Sequence, residues 1–221
     1  MTITHIAFDL DGVLFTAAGF IEGCYADALK LSGLKKEAPK AERIIKNFGK
    51  PGVDILRDLF GELSEEEQTH YRKHLIDLIV ERIREGQGEI FEGIETALKE
   101  LKNNYTLAVC SNGNENYVNT VLECRNIRHY FIPLHTLTNT GSKNKTELLK
   151  SYLDATGTAP QNWILVGDRD ADLLAAKNNG CYFIGCNWGF ADANELAGSD
   201  IIIDKPEDIP AAVGMLKALK N

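Results

Sequence analysis

The chain has 221 residues, 44% of them hydrophobic and 25% charged, with a formal net charge of −8. That length holds one large domain, or a core with a smaller insertion, and the acidic balance argues against a nucleic-acid backbone as the main partner. No basic segment leads into a long apolar run and nothing reaches membrane-spanning length, so no membrane partner is expected.

Taken in chain order, Thr4 to Leu10 reads as a short buried strand, closed by the Asp-x-Asp-Gly run Asp9 to Gly12. From Thr16 to Glu85 the pattern is helical. Phe20, Ile21, Cys24, Tyr25, Ala28 and Leu29 recur at helical spacing, and Gly33 is a plausible stop. "NFGKPG" (Asn47–Gly52) is a loop, "DILRDLF" a short helix ended by Gly61, and Ser64 with Glu67 a capping box opening a long helix through Leu75, Ile76, Ile79 and Ile83. After Arg84–Gly93 the texture changes. A helix at Ile94–Leu101 precedes the strand "YTLAVCSN"; a helix around Tyr117–Leu122 precedes the strand "YFIPLHT"; a helix at Lys145–Leu153 precedes the strand "WILVGD"; a helix at Asp172–Asn178 precedes "CYFIGCNWG", and the last strand is "DIIID".

Helices alternating with short apolar strands predict a parallel sheet covered on both faces. The expected fold is α/β: a Rossmann-like parallel sheet from residues 1–15 and 87–221, with a small all-helical unit, residues 16–86, inserted after the first strand. The five cysteines, Cys24, Cys110, Cys124, Cys181 and Cys186, are odd in number and lack metal-ligand spacing, which reads as reduced residues of a cytoplasmic protein.

Ligands of open parallel sheets bind beyond the carboxyl ends of the strands. There the first strand delivers Asp9 and Asp11, the second delivers Ser111-Asn112-Gly113, and a later one delivers Gly167-Asp168 with Asp170 and Asp172 behind; Lys143 and Lys145 start the helix that feeds that strand. Clustered carboxylates repel unless a cation sits among them, and oxygen-only ligation suits Mg²⁺ better than Zn²⁺. A serine, N–H groups at a helix start and a lysine suit a phosphate. Together they point to phosphoryl transfer through an aspartyl-phosphate.

These same residues carry a resemblance. Asp9-x-Asp11-Gly12-Val13, then Ser111, then a lysine, then Gly167-Asp168-x-x-x-Asp172, resemble the four motifs of the haloacid-dehalogenase-like superfamily, over nearly the whole chain. A helical insertion after the first motif is similar to that superfamily's C1 cap. "GCNWGF" and the late "DIIID" further resemble its phosphoglycolate-phosphatase-like branch. The resemblance implies a Mg²⁺-dependent phosphatase acting on a small phosphorylated metabolite. Asp9 would be the nucleophile and Asp11 the acid that becomes a base. Mg²⁺ would be held by Asp9, the Asp11 carbonyl and Asp168, with Asp172 supporting its waters or binding it. Ser111 and the Asn112 N–H would hold the phosphoryl oxygens. The lysine would be Lys145, in "KTELL", with Lys143 as the alternative. A cap between linkers near Phe15–Ala18 and Gly86–Glu92 would open and close over the site.

Plainer readings apply to other residues. Ser111 would also serve as a helix cap. Asp170 reads as a solvated neighbour, Lys50 as a turn lysine or a cap contact to substrate, and Trp188 as loop packing. His70 and His74, four apart on a helix, lack a visible third ligand and read as a solvated face. Two other functions use similar residues. A sugar-phosphate mutase of the same superfamily carries an arginine-serine pair in its cap that Thr16–Glu85 lacks. A non-enzymatic phosphoacceptor domain is shorter and has no such insertion.

Overall fold

The computed structural model describes residues 2–192 and 194–218. Strand β1 (His5–Phe8) leads through a tight turn into β2 (Phe15–Thr16). Four helices follow: α1 (Ile21–Ser32), α2 (Ala41–Ile45), α3 (Gly52–Phe60) and α4 (Glu65–Arg84). Then come β3 (Glu89–Ile90), α5 (Ile94–Lys102), β4 (Thr106–Val109), α6 (Glu115–Cys124), α7 (Leu137–Thr140), α8 (Lys145–Thr156), β5 (Trp163–Gly167), α9 (Asp170–Asn179), β6 (Tyr182–Cys186), β7 (Ile201–Ile203) and α10 (Ile209–Ala218). No helix among the described residues is long and apolar enough to cross a membrane.

The main sheet is parallel, in the order β4-β1-β5-β6-β7. Its strands are apolar on both faces because both faces are covered. Ile6, Phe8, Val109, Ile164 and Val166 pack with residues of α5, α6 and α10 on one side; Ala7, Ala108, Leu165 and Phe183 pack with α8 and α9 on the other. The alternation follows from side chains of a strand pointing to opposite faces. β1 lies between β4 and β5, so the chain reverses its direction of travel around β1, the point at which open α/β sheets form a crevice.

Local signals behave as their chemistry requires. Ser64 Oγ accepts from the Glu67 N–H at 3.2 Å while Glu67 Oε2 accepts from the Ser64 N–H at 2.8 Å, closing the capping box of α4. The expected strand at Tyr130–Thr136 does not form. Only Phe131 bridges to Leu107, and the Ile132 N–H donates to the Leu107 carbonyl before Pro133, which has no N–H to continue a ladder. The helix expected at Asp172 begins two residues earlier, at Asp170. The two linkers of the insertion pair with each other: β2 and β3 form an antiparallel ribbon, Phe15 opposite Ile90 and Thr16 opposite Glu89. Two-residue strands have no period to read, which is why the sequence shows them only as loops.

Gly88 lets this ribbon form. Its φ is +83°, and a Cβ there would lie 2.3 Å from Phe15 Cζ, inside a buried ring. Gly88→Ala combines an unfavourable φ with a steric clash, so it is expected to lower stability by more than about 1 kcal/mol, measured as the shift of the urea unfolding midpoint.

Candidate active site

The carboxyl ends of β1, β4 and β5 meet at one point because these strands are neighbours in register, Phe8 lying opposite both Val109 and Val166. The parallel ladder runs one residue further, with the Asp9 N–H donating to the Val166 carbonyl and the Cys110 N–H to the Phe8 carbonyl. Asp9, Ser111 and Asp168 therefore emerge from rigid backbone. Asp172 joins them from the first turn of α9, and Lys145 from the first turn of α8.

All five side chains are buried. Lys145 Nζ lies 2.8 Å from Asp9 Oδ1 and 2.6 Å from Asp172 Oδ1. Asp172 Oδ2 accepts the N–H groups of Asp168 and Arg169 at 3.2 and 3.1 Å. Asp168 Oδ2 accepts the Phe190 N–H at 2.6 Å. Carboxylate oxygens of Asp9, Asp168 and Asp172 lie within 4.8 Å of one another. Two oxygens of this cluster, Asp9 Oδ2 and Asp168 Oδ1, are buried without a hydrogen-bond partner among the described residues. Buried, unpaired carboxylate oxygens are costly. A hard divalent cation is the group that this all-oxygen donor set fits.

The electrostatics follow. Desolvation raises the Asp9 pKa well above the usual carboxylate range, and the Asp172 charge raises it further, against the opposing pull of Lys145. Asp168 is pushed up to about 7, first by burial and then by Asp172. Burial alone would lower the Lys145 pKa, but the Asp172 and Asp9 carboxylates reverse that and hold the ammonium charged. Asp11 is raised to about 6 by desolvation, moderated by the hydrogen bond that the Tyr117 hydroxyl donates to Asp11 Oδ1 at 2.5 Å.

The two lysine alternatives are separated by the cap of α8. Asn144 is the N-cap, its side chain accepting from the Glu147 N–H at 3.0 Å. Lys145, one position inside, reaches Asp9, while Lys143, one position outside, is exposed. Ser111 Oγ accepts the Gly113 N–H at 3.1 Å, and the cap of α6 is Asn114. Asp170 is exposed and outside the acidic cluster. His70 and His74 touch edge to face on α4, and the described residues place no third metal-ligating group with them. The Trp188 indole N–H donates to the Val13 carbonyl at 3.3 Å, holding the loop after β6 on the turn after β1.

Two glycines let backbone approach the carboxylates. A Cβ at Gly12, φ +89°, would lie 2.2 Å from Asp168 Oδ2, and one at Gly189 would lie 2.3 Å from Asp168 Cβ. Sequence reading missed Tyr117, Arg169 and Glu195. Arg169 Nε and Nη2 donate to the two Glu195 oxygens at 2.7 and 3.0 Å, and the same guanidinium reaches the Lys46 carbonyl of the insertion at 3.4 Å. Asn112 Nδ2 donates to the Gly49 carbonyl at 2.8 Å, and the Phe48 ring meets Phe190 edge to face. These contacts seat the 46–49 turn on the sheet end. Beside it is a cavity of about 160 Å³ whose lining includes Asp9, Asp11, Ser111, Asn112 and Lys50.

The chain is 28% identical over 211 residues to a phosphoglycolate phosphatase of Vibrio cholerae serotype O1, covering 90% of this chain and 91% of that one. It is 27% identical over 220 residues to the pyrophosphatase PpaX of Oceanobacillus iheyensis, covering 97% and 98%. A solved hydrolase of the haloacid dehalogenase-like family from Streptococcus pneumoniae superposes with a TM-score of 0.81 at 24% identity, covering 95% of this chain and 98% of that one. The model of the haloacid dehalogenase-like hydrolase family matches residues 6–186, and the chain belongs to that family.

Proposed function

We propose that the protein is a phosphatase that hydrolyses a small-metabolite phosphomonoester through a phosphoaspartate on Asp9, with Mg²⁺ as its cofactor. The observation that carries this reading is the buried Lys145 bridging Asp9 and Asp172, beside two carboxylate oxygens with no hydrogen-bond partner among the described residues, with Asp9 lining a cavity. Relatives named as phosphatases support it. In this reading residues 1–15 and 87–221 are the catalytic core and residues 16–86 a cap that supplies the cavity roof. The five free cysteines, four of them buried, favour a reducing compartment such as the cytoplasm.

Asp9, Asp168 and the Asp11 carbonyl would hold the cation, with Asp172 behind them, since both Asp172 oxygens are already engaged. When bound, the cation neutralises charge on the phosphoryl oxygens and orients them. The Lys145 ammonium favours the ionised form of Asp9 against its burial, and a bound cation would add to that, leaving a carboxylate to attack phosphorus. The Ser111 hydroxyl and the Asn112 N–H would hold phosphoryl oxygens. As the Asp9 oxygen bonds to phosphorus, the ester P–O bond breaks and Asp11 gives its proton to the departing alkoxide. Asp11, now a carboxylate, takes a proton from water as that water attacks the phosphoaspartate; inorganic phosphate leaves and Asp9 is regenerated. A carboxyl with a pKa near 6 suits both halves of this exchange.

Asp9→Asn is expected to abolish turnover of any accepted ester while the fold is retained, read as phosphate release and circular dichroism. Asp11→Asn is expected to slow turnover by about a hundredfold or more. Addition of Mg²⁺ is expected to raise the thermal unfolding midpoint by relieving repulsion among Asp9, Asp168 and Asp172, and Asp168→Asn to remove most of that rise, read by differential scanning fluorimetry. An unchanged midpoint in the wild type would count against the metal site.

A further inference from the structure

Asp11 is held by a residue that belongs to a different strand end. Asp11 follows β1, whereas Tyr117 stands in α6, behind the Ser111–Gly113 turn that follows β4. The Tyr117 hydroxyl donates to Asp11 Oδ1 at 2.5 Å, the length of a bond to a charged acceptor. No hydrogen bond among the described residues engages Asp11 Oδ2. Both side chains line the cavity beside the strand ends. The phenol ring is itself confined. A Cβ at Gly113 would lie 3.0 Å from Tyr117 Cδ1, so the ring packs on the turn that carries Ser111 and Asn112. Asn114 caps α6 by accepting the Asn116 N–H at 2.9 Å, which fixes the first turn from which Tyr117 projects.

This contact gives the two carboxyl oxygens of Asp11 different tasks. A phenol keeps its proton at neutral pH, and burial followed by the Asp11 charge pushes the Tyr117 hydroxyl further up. With Oδ1 accepting from that hydroxyl, the acid proton of Asp11 belongs on Oδ2. Proton transfer to a leaving oxygen depends on geometry, and a small misplacement of the acid costs rate.

Resting on the phosphatase reading above, we propose that Tyr117 is a positioning residue for the leaving-group step, anchoring Asp11 Oδ1 so that Oδ2 faces the ester oxygen. As the P–O bond breaks, the proton on Oδ2 passes to the departing alkoxide. In the second half, water returns a proton to the same oxygen, and Tyr117 keeps its own throughout. Esters of a weakly acidic alcohol need that proton, whereas an acidic phenol departs as the phenolate without it.

The test compares kcat/KM, which covers the steps through departure of the alcohol, for 4-nitrobenzyl phosphate and 4-nitrophenyl phosphate with Mg²⁺ present. The benzyl ester releases an alkoxide that must be protonated; the phenyl ester of similar size releases a stable phenolate. Tyr117→Phe is expected to lower the benzyl-to-phenyl ratio by about tenfold or more. A merely structural defect would slow both esters in proportion and leave the ratio where it was. Asp11→Asn is expected to lower the ratio further, and Tyr117→Phe added to Asp11→Asn to lower it no more, because no acid is left to position. Tyr117→Leu removes the same hydroxyl and gives the same ratio test should Tyr117→Phe not fold. An unchanged ratio in Tyr117→Phe, a further fall in the double variant, or hydrolysis of the phenyl ester alone by the wild type would overturn this role while leaving the phosphatase reading intact. No hydrolysis of either ester by the wild type would remove both.

Discussion

Everything at the sheet end depends on one buried cation. Three carboxylates within a few ångströms of each other in a dehydrated pocket would not stay together as anions, and Lys145 is the group that makes the arrangement tolerable. Its ammonium offsets part of the charge on Asp9 and Asp172, and Asp172 returns the favour by also holding the Asp168 and Arg169 N–H groups. Breaking such a buried pair from one side typically costs about 3–5 kcal/mol, because the remaining charge has nowhere to go. The balance is still incomplete, with more negative than positive charge enclosed. That excess of negative charge is what the proposed cation would offset.

The insertion and the sheet share one apolar core, Ile44, Phe48 and Leu56 clustering with Ile6, Phe8 and Val166, and polar contacts are added to it at the sheet end. Asn112 reaches the Gly49 carbonyl from the core side, Arg169 reaches the Lys46 carbonyl while paired with Glu195, and Phe48 meets Phe190. Asn112 and Arg169 directly follow residues of the cluster, Ser111 and Asp168, so the seating of the turn and the geometry of the floor share the same backbone.

Much of this was legible in the chain itself. Parallel strands buried on both faces are short apolar runs, and β1, β4, β5 and β6 stand out for that reason. The carboxylates, Ser111 and the lysine lie directly after or before such runs, so their convergence follows from the strand order. What stayed hidden was set by partners distant in sequence. Tyr117 meets Asp11, and Arg169 meets Glu195. The choice between Lys143 and Lys145 turned on which side of the Asn144 cap each residue falls, a matter of one backbone rotation. The segment after Tyr130 is apolar enough for a strand, but Pro133 interrupts the donors a strand needs.

The place of β1 in the sheet has a consequence for how the molecule comes into being. It is the first element of the chain, yet its hydrogen-bonding neighbours begin at Thr106 on one side and Trp163 on the other. The helices of the insertion, by contrast, are complete by Arg84. Closing long stretches of chain is slow compared with winding local helices. The sheet is thus closed by pairings between distant parts of the chain, and Asp9 meets Asp168, Asp172 and Lys145 only through them. The acidic floor therefore rests on contacts between residues far apart in sequence, and a lesion in either half of the chain reaches it.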